Sequence, residues 1–187
     1  MSKVVVLYQS KYGATQKYAQ WLAAELACDL VETKKANIDQ IATYDVIILG
    51  GGVYASGIRG FSFLKRHFSR LKKKKLAVFA VGASPYDEKM IDAFRAQKFK
   101  GELVNIPLYY FRGAWNEDKM TGLDRKLCRM LKKMVAKKDP TTYEPWEAAL
   151  MEVDGNCDWT EKEALKPLID WVRPEKDQFS DRKAENG

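Results

Sequence analysis

Val4-Val5-Val6-Leu7-Tyr8-Gln9-Ser10-Lys11-Tyr12-Gly13-Ala14-Thr15 reads as a strand, a turn and the start of a helix in immediate succession. Four apolar residues in a row, Val4 to Leu7, predict a short strand buried on both faces. The strand gives way to a polar turn with a glycine. Ala19, Leu22, Ala23 and Leu26 then recur at helical spacing, so the turn opens a helix, expected over about 14–27. Such a turn gathers free backbone N–H groups and the positive helix end around one small volume, which suits a phosphate. Ser10 and Thr15 add hydroxyls at its two ends, and Gly13 lets the chain curl without a Cβ in the way.

Outward from this unit the same alternation repeats. A second strand is expected near Leu30–Thr33, and a short helical piece near Ile38–Ala42. Asp45 to Leu49 forms a third strand that empties into Gly50-Gly51-Gly52-Val53-Tyr54-Ala55-Ser56-Gly57. A helix from about Arg59 to Leu71 carries Phe61, Leu64, Phe68 and Leu71 on one face, and Lys72–Lys75 places cations at its negative end. Leu76–Val81 is the fourth strand and runs into Gly82-Ala83-Ser84-Pro85-Tyr86-Asp87-Glu88. Met90, Ile91, Phe94 and Phe99 mark the next helix, and Leu103–Tyr110 the fifth strand, ending in Phe111–Asn116. Strands alternating with helices predict an α/β fold with a doubly wound five-stranded parallel sheet. The expected order is 2-1-3-4-5, with a switch point between the first and third strands.

Beyond the fifth strand the chain exceeds a minimal five-unit fold, with a helical insertion over about 117–152. Met120–Lys138 predicts a helix with Met120, Leu123, Leu127, Met130, Leu131, Met134 and Val135 on one stripe. Arg125, Lys126, Arg129, Lys132, Lys133, Lys137 and Lys138 make up the other face. The simpler expectation is that the stripe packs on this chain's own sheet and the cations are solvated. The alternative is a helix that lies on an anionic membrane or takes an acidic partner. Tyr143–Met151 predicts a short helix, and Thr160-Glu161-Lys162-Glu163 a capping box opening a last helix through Val172. One domain over 1–173 is expected, followed by a mobile tail, 174–187.

Composition bounds the function classes. The 187 residues are 46% hydrophobic and 30% charged, as in a soluble globular protein large enough for one substantial core. No apolar run is long enough to span a membrane, and Met1-Ser2-Lys3 leads straight into the first strand without a signal-peptide layout. Cys28, Cys128 and Cys157 are widely spaced and make no metal-like pair, which points to a reducing, cytoplasmic compartment. The 32 Lys and Arg against 25 Asp and Glu leave a net charge of +7, which favours anionic partners. No Ser–His–Asp set and no cluster of metal ligands appears. His67, the only histidine, lies within an amphipathic helix and is expected to be a plain surface residue. No acidic pair follows the first strand, which excludes a response-regulator receiver.

The turns after the first, third and fourth strands open at one carboxyl edge of the sheet. At Ser10, Gly13 and Thr15 the sequence resembles the flavodoxin-like family, whose phosphate loop follows the first strand. It departs at Tyr12, where many flavodoxins carry a further Ser or Thr. The resemblance implies FMN as cofactor, bound by Ser10, Lys11, Tyr12, Gly13, Ala14 and Thr15 at its phosphate. Gly52, Val53, Tyr54, Ala55, Ser56 and Gly57, with Gly82, Ala83, Ser84 and Tyr86, would serve as the ring-binding loops. It further implies that the peptide of Gly57, or of Gly52 as the alternate, turns its carbonyl toward N5 of reduced flavin. Within the family the chain looks most like the flavodoxin-domain branch that includes menaquinone-dependent protoporphyrinogen oxidase. The loops at Ser10–Thr15 and Leu49–Gly57, the basic helix and the Asp158-Trp159 pair carry that likeness. Gly113-Ala114 is kept, while the residues after it differ from that enzyme's. The implied function is an FMN-dependent oxidoreductase that exchanges electrons with a quinone or another hydrophobic or anionic substrate. The alternative is an electron carrier that docks to redox partner proteins. No nucleic-acid partner is expected. The redox chemistry would belong to the cofactor, with no catalytic side chain assigned. Cytoplasmic localisation, peripheral to the membrane through helix 120–138, is the corresponding expectation.

Overall fold

A computed structural model describes residues 2–54 and 57–174, the side chain of Tyr54 excepted. The expected tail beyond 174 lies outside the described residues. The elements in chain order are β1 (Val4–Gln9), α1 (Ala14–Leu26), β2 (Asp29–Glu32), α2 (Ile38–Ile41), β3 (Val46–Tyr54), β4 (Gly57–Ile58), α3 (Phe61–Leu71), β5 (Lys75–Gly82), α4 (Glu88–Lys98), β6 (Leu108–Arg112), β7 (Ala114–Asn116), α5 (Gly122–Val135), α6 (Pro145–Glu152), β8 (Asn156–Asp158) and α7 (Lys166–Val172). The main sheet runs β2-β1-β3-β5-β6, all parallel, and the two-residue β4 folds back antiparallel on β3. Counting only the five long strands, this is the expected 2-1-3-4-5 order.

Register follows from the apolar runs. Val6 lies beside Leu30 and Ile48, Ile48 beside Ala77, and Val78 beside Leu108. Alternate residues feed two core layers. Val5, Leu7, Ile47, Leu49 and Val78 pack with Phe61, Leu64 and Leu71 of α3. Val6, Ile48, Ala77 and Phe79 pack with Tyr18, Leu22 and Leu26 of α1 and with Leu165 and Leu168 near the C-terminal helix. With helices on both faces, the carboxyl ends of β1, β3 and β5 meet at one edge.

Three expectations are corrected. The strand expected at Leu103–Tyr110 begins only at Leu108, because Gly101, at φ 61°, opens a tight 3-10 turn over Gly101–Asn105. Pro107 then has no N–H for the ladder and contributes only its carbonyl, which accepts from Val78 N–H at 3.0 Å. The capping box expected at Thr160 does not form. Its hydroxyl donates to Asp158 at 2.6 Å, and the last helix starts at Lys166 after a 3-10 turn. Asp158-Trp159 therefore closes β8 instead of opening that helix, and Trp159 N–H donates to the Gly113 carbonyl at 3.0 Å.

β3 runs longer than expected because Gly50 and Gly51 continue the ladder between β1 and β5 and Gly52 extends it along β5. A Cβ on Gly50 would overlap the Phe79 ring, and one on Gly51 the Arg59 carbonyl oxygen and the Ile58 side chain. Two of the three glycines are thus required by packing in the sheet.

Candidate functional site

The loop between β1 and α1 turns at Gly13, whose φ of 102° is strained for any residue with a Cβ. Its N–H donates to Ser10 Oγ at 3.0 Å, which leaves the Ser10 hydroxyl hydrogen for another acceptor. α1 has no side-chain cap among the described residues, so its first-turn N–H groups remain available to an anion. Thr15 is buried, and its hydroxyl oxygen lies 3.4 Å from where a Cβ would sit on Gly52. Gly52 therefore gives the Thr15 hydroxyl clearance across the edge.

A cleft of about 210 Å³ opens over these ends. Ser10, Lys11, Tyr12, Ala14 and Thr15 form one wall, Gly52 and Val53 the second, and Gly82 and Ala83 the third. Gly13 faces a neighbouring cleft of about 340 Å³, between α1 and the β7–β8 ribbon. Gly57 lies in extended β4 backbone paired with Tyr54, with nothing within 4 Å of a Cβ placed there, and it is not among the cleft-lining residues. Ser84 and Tyr86 are not among the residues that line the cleft. The Ser84 carbonyl accepts from Tyr110 at 2.7 Å, and Tyr86 is 63% exposed with its ring 6.4 Å from that of Tyr110. Burial pushes the Tyr110 phenol up, so it remains the donor that fixes this loop. The Tyr54 side chain, Ala55 and Ser56 lie outside the described residues.

The remaining wall comes from beyond β6. Gly113, Ala114, Trp115, Met120, Asp124 and Cys128 line the cleft, as does Arg59 from the turn before α3. Asp124 is 4% exposed, and the Lys11 ammonium and the Tyr12 hydroxyl both donate to it. The Tyr12 hydroxyl, the residue at which the loop departs from the flavodoxin pattern, is thus committed to a carboxylate of this chain. That carboxylate holds the Lys11 ammonium above its ordinary pKa. Burial pushes the Cys128 thiol up, which disfavours a nucleophilic thiolate. His67 packs beside Phe63 on α3, with ring centroids 4.8 Å apart, and does not line the cleft. Among the described residues no group of His, Cys, Asp and Glu could hold a metal ion.

Asp124 was legible only as a signal of another kind. Thr121-Gly122-Leu123-Asp124 has capping spacing, and Asp124 N–H does donate to Thr121 Oγ1 at 3.3 Å. Nothing in the spacing tells that its carboxylate meets a loop more than a hundred residues earlier.

A profile of the flavodoxin domain matches residues 5–143. The chain belongs to the flavodoxin domain family. An uncharacterized protein of Methanocaldococcus jannaschii is 29% identical to it over 113 residues, 56% of this chain and 70% of that protein. Among solved structures, the two-electron reduced flavodoxin of Megasphaera elsdenii is 24% identical, with a TM-score of 0.46 over 57% of this chain and 82% of that one. A flavoprotein from Lactobacillus acidophilus, solved in complex with FMN, is 16% identical, with a TM-score of 0.40 over 60% of this chain and 93% of that one. The profile ends beyond α5, so the helix that supplies Asp124 lies within the matched flavodoxin domain.

The residues fit a phosphate monoester joined to a flat ring. Hydroxyls, a helix N-terminus and a glycine turn meet at the β1–α1 loop, and the Gly52 and Gly82 backbones flank an apolar floor. Asp124 opposes a second anion there.

Proposed function

We propose that this flavodoxin-domain chain binds FMN in the cleft between β1, β3 and β5 and serves in electron transfer. The single observation that carries this reading is the uncapped N-terminus of α1, flanked by Ser10 and Thr15 and facing Gly52. The family membership and the three convergent loops support it. Bound FMN would supply the exchange of electrons, and the residues of this chain position and tune it. Ser10, Thr15 and the first-turn N–H groups hold the phosphate. Gly52, Val53, Gly82 and Ala83 form the floor and sides beneath the ring. Ser84, Tyr54 and Tyr86 remain proposed ring-loop residues, with Ala55 and Ser56.

Thr15→Ala tests the phosphate loop. A hydrogen bond to a charged group contributes roughly 1.5–3 kcal/mol, so FMN affinity is expected to fall by about tenfold or more. Riboflavin affinity should stay level. Equal losses for the two ligands in parallel fluorescence titrations, or no loss for either, rule the loop out as the phosphate site.

Gly57→Ala tests redox tuning. The extended backbone seen here accepts a methyl group freely, so the variant should fold with an unchanged melting temperature. A peptide flipped to positive φ would cost about 1 kcal/mol more with Ala, about 40 mV for one electron. Potentiometric titration reads that shift, and unchanged potentials remove Gly57 from the mechanism.

A second reading, the quinone-linked oxidoreductase of protoporphyrinogen-oxidase type, draws on Trp115 and Met120. They add an apolar wall that the three loops after β1, β3 and β5 do not provide. Turnover of a menaquinone analogue by FMN-loaded protein supports it, and electron transfer only to a protein acceptor favours the carrier.

A further inference from the structure

α5 turns one side inward and leaves a second apolar row outside. Asp124 and Val135 are buried, and Cys128, Leu131 and Lys132 are half-buried. Lys132 donates to the Val153 carbonyl at 2.7 Å at the end of α6, which fixes the helix in this rotation. Leu123, Leu127, Met130 and Met134 are 67%, 45%, 53% and 53% exposed. Their spacing of four, three and four residues sets them in one straight line along the helix. Of the stripe expected to pack on the sheet, Val135 is buried and Leu131 half-buried, and neither joins the two core layers of the sheet. A soluble surface rarely carries such a row without a partner.

Lys126, Arg129, Lys133 and Lys137 lie along one side of the row, and all four are exposed. None of their side chains has a hydrogen-bond or ion-pair partner among the described residues. A second copy of this chain is disfavoured as occupant, because apposing two such helices would set like charges against each other within a basic molecule of net charge +7. A groove-forming protein would need a matching array of carboxylates around an apolar trough. A bilayer that contains anionic lipid offers both features at once, a continuous apolar layer under a negatively charged surface. Unbranched Met side chains adapt to such a disordered layer.

We propose that α5 lies in the surface of an anionic membrane, with Leu123, Leu127, Met130 and Met134 among the acyl chains and the four cations at the headgroups. No described helix is long and apolar enough to cross a membrane, so the contact is interfacial. The inference does not depend on the flavin reading, since none of these eight residues lines the cleft.

Sedimentation of the full chain with vesicles tests it. Binding is expected with mixed phosphatidylcholine and phosphatidylglycerol vesicles and not with phosphatidylcholine alone. It should weaken by about tenfold or more between low and physiological salt, as surface charges are screened. Lys126→Glu, Arg129→Glu and Lys133→Glu together should abolish it. Leu127→Gln with Met130→Gln should weaken it by about tenfold or more at an unchanged melting temperature. Equal binding to both vesicle types overturns the proposal. So does absence of binding to either, or self-association that the Gln pair abolishes; an acidic protein or a second copy then covers the row.

Discussion

Gly51→Ala is expected to lower the melting temperature by roughly 2–12 °C, a large loss for adding a single methyl group beside the cleft. Gly51 is buried in β3, paired with Gln9 of β1 and Ala80 of β5. The added Cβ would overlap the Arg59 carbonyl oxygen, which is backbone and cannot swing aside, and the Ile58 side chain. Arg59 N–H also donates to the Gly52 carbonyl at 3.0 Å, so moving one strand to make room breaks the bond that closes the β3–β4 return. Overpacking of this kind costs about 1–3 kcal/mol, and each kcal/mol lowers the melting temperature by roughly 2–4 °C at this chain length. Gly57→Ala, in open space on the same return, is the internal control. Equal melting temperatures for the two variants would show that the return yields and that Gly51 is not a packing requirement.

Asp124→Asn is expected to shift ligand preference. The Asp124 carboxylate accepts from both Lys11 and Tyr12 of the β1–α1 loop. A phosphate entering that loop must share Lys11 with another anion. Replacing the carboxylate with a neutral amide removes the opposing charge and loosens Lys11 for the phosphate, and both effects have the same sign. Removing a like charge from a partly buried site is worth on the order of 1 kcal/mol, so the ratio of FMN to riboflavin affinity should rise about fivefold. Loss of the α5 anchor alone would weaken both flavins together and leave the ratio fixed. A ratio that stays level, or falls, therefore shows that Asp124 does not set the balance between phosphorylated and unphosphorylated ligand.

The sheet was legible because its determinants are local. Val4–Leu7, Val46–Leu49 and Leu76–Val81 are apolar runs too short for helices, and each ends in a polar or glycine turn. Strand order followed from their alternation with helices. The turn after β1 was legible for the same reason, since Ser10, Gly13 and Thr15 fall within six residues. Beyond β6 the determinants become long-range. The apolar stripe of helix 120–138 covers about half the helix circumference, and periodicity cannot tell which part turns inward. That choice is made by Asp124 reaching Lys11, Lys132 reaching Val153 and Val135 entering the interior. Arg59 and Trp115 escaped notice as cleft residues because each reaches the cleft from a turn or a short ribbon with no periodicity to read. The triple glycine divides between two roles, with Gly52 lining the cleft. Its composition suits close approach of a ring, but Gly50 and Gly51 answer to Phe79 and Arg59 inside the protein.

The central claim is that the loop at Ser10–Thr15 recognises the phosphate of FMN. Calorimetric titration of the wild-type protein with FMN and with riboflavin tests it most directly, because the two ligands differ only in that group. FMN is expected to bind with one-to-one stoichiometry and at least about tenfold more tightly, the contribution of a few charge-assisted hydrogen bonds. Equal affinities for the two, or binding of neither, would contradict the account.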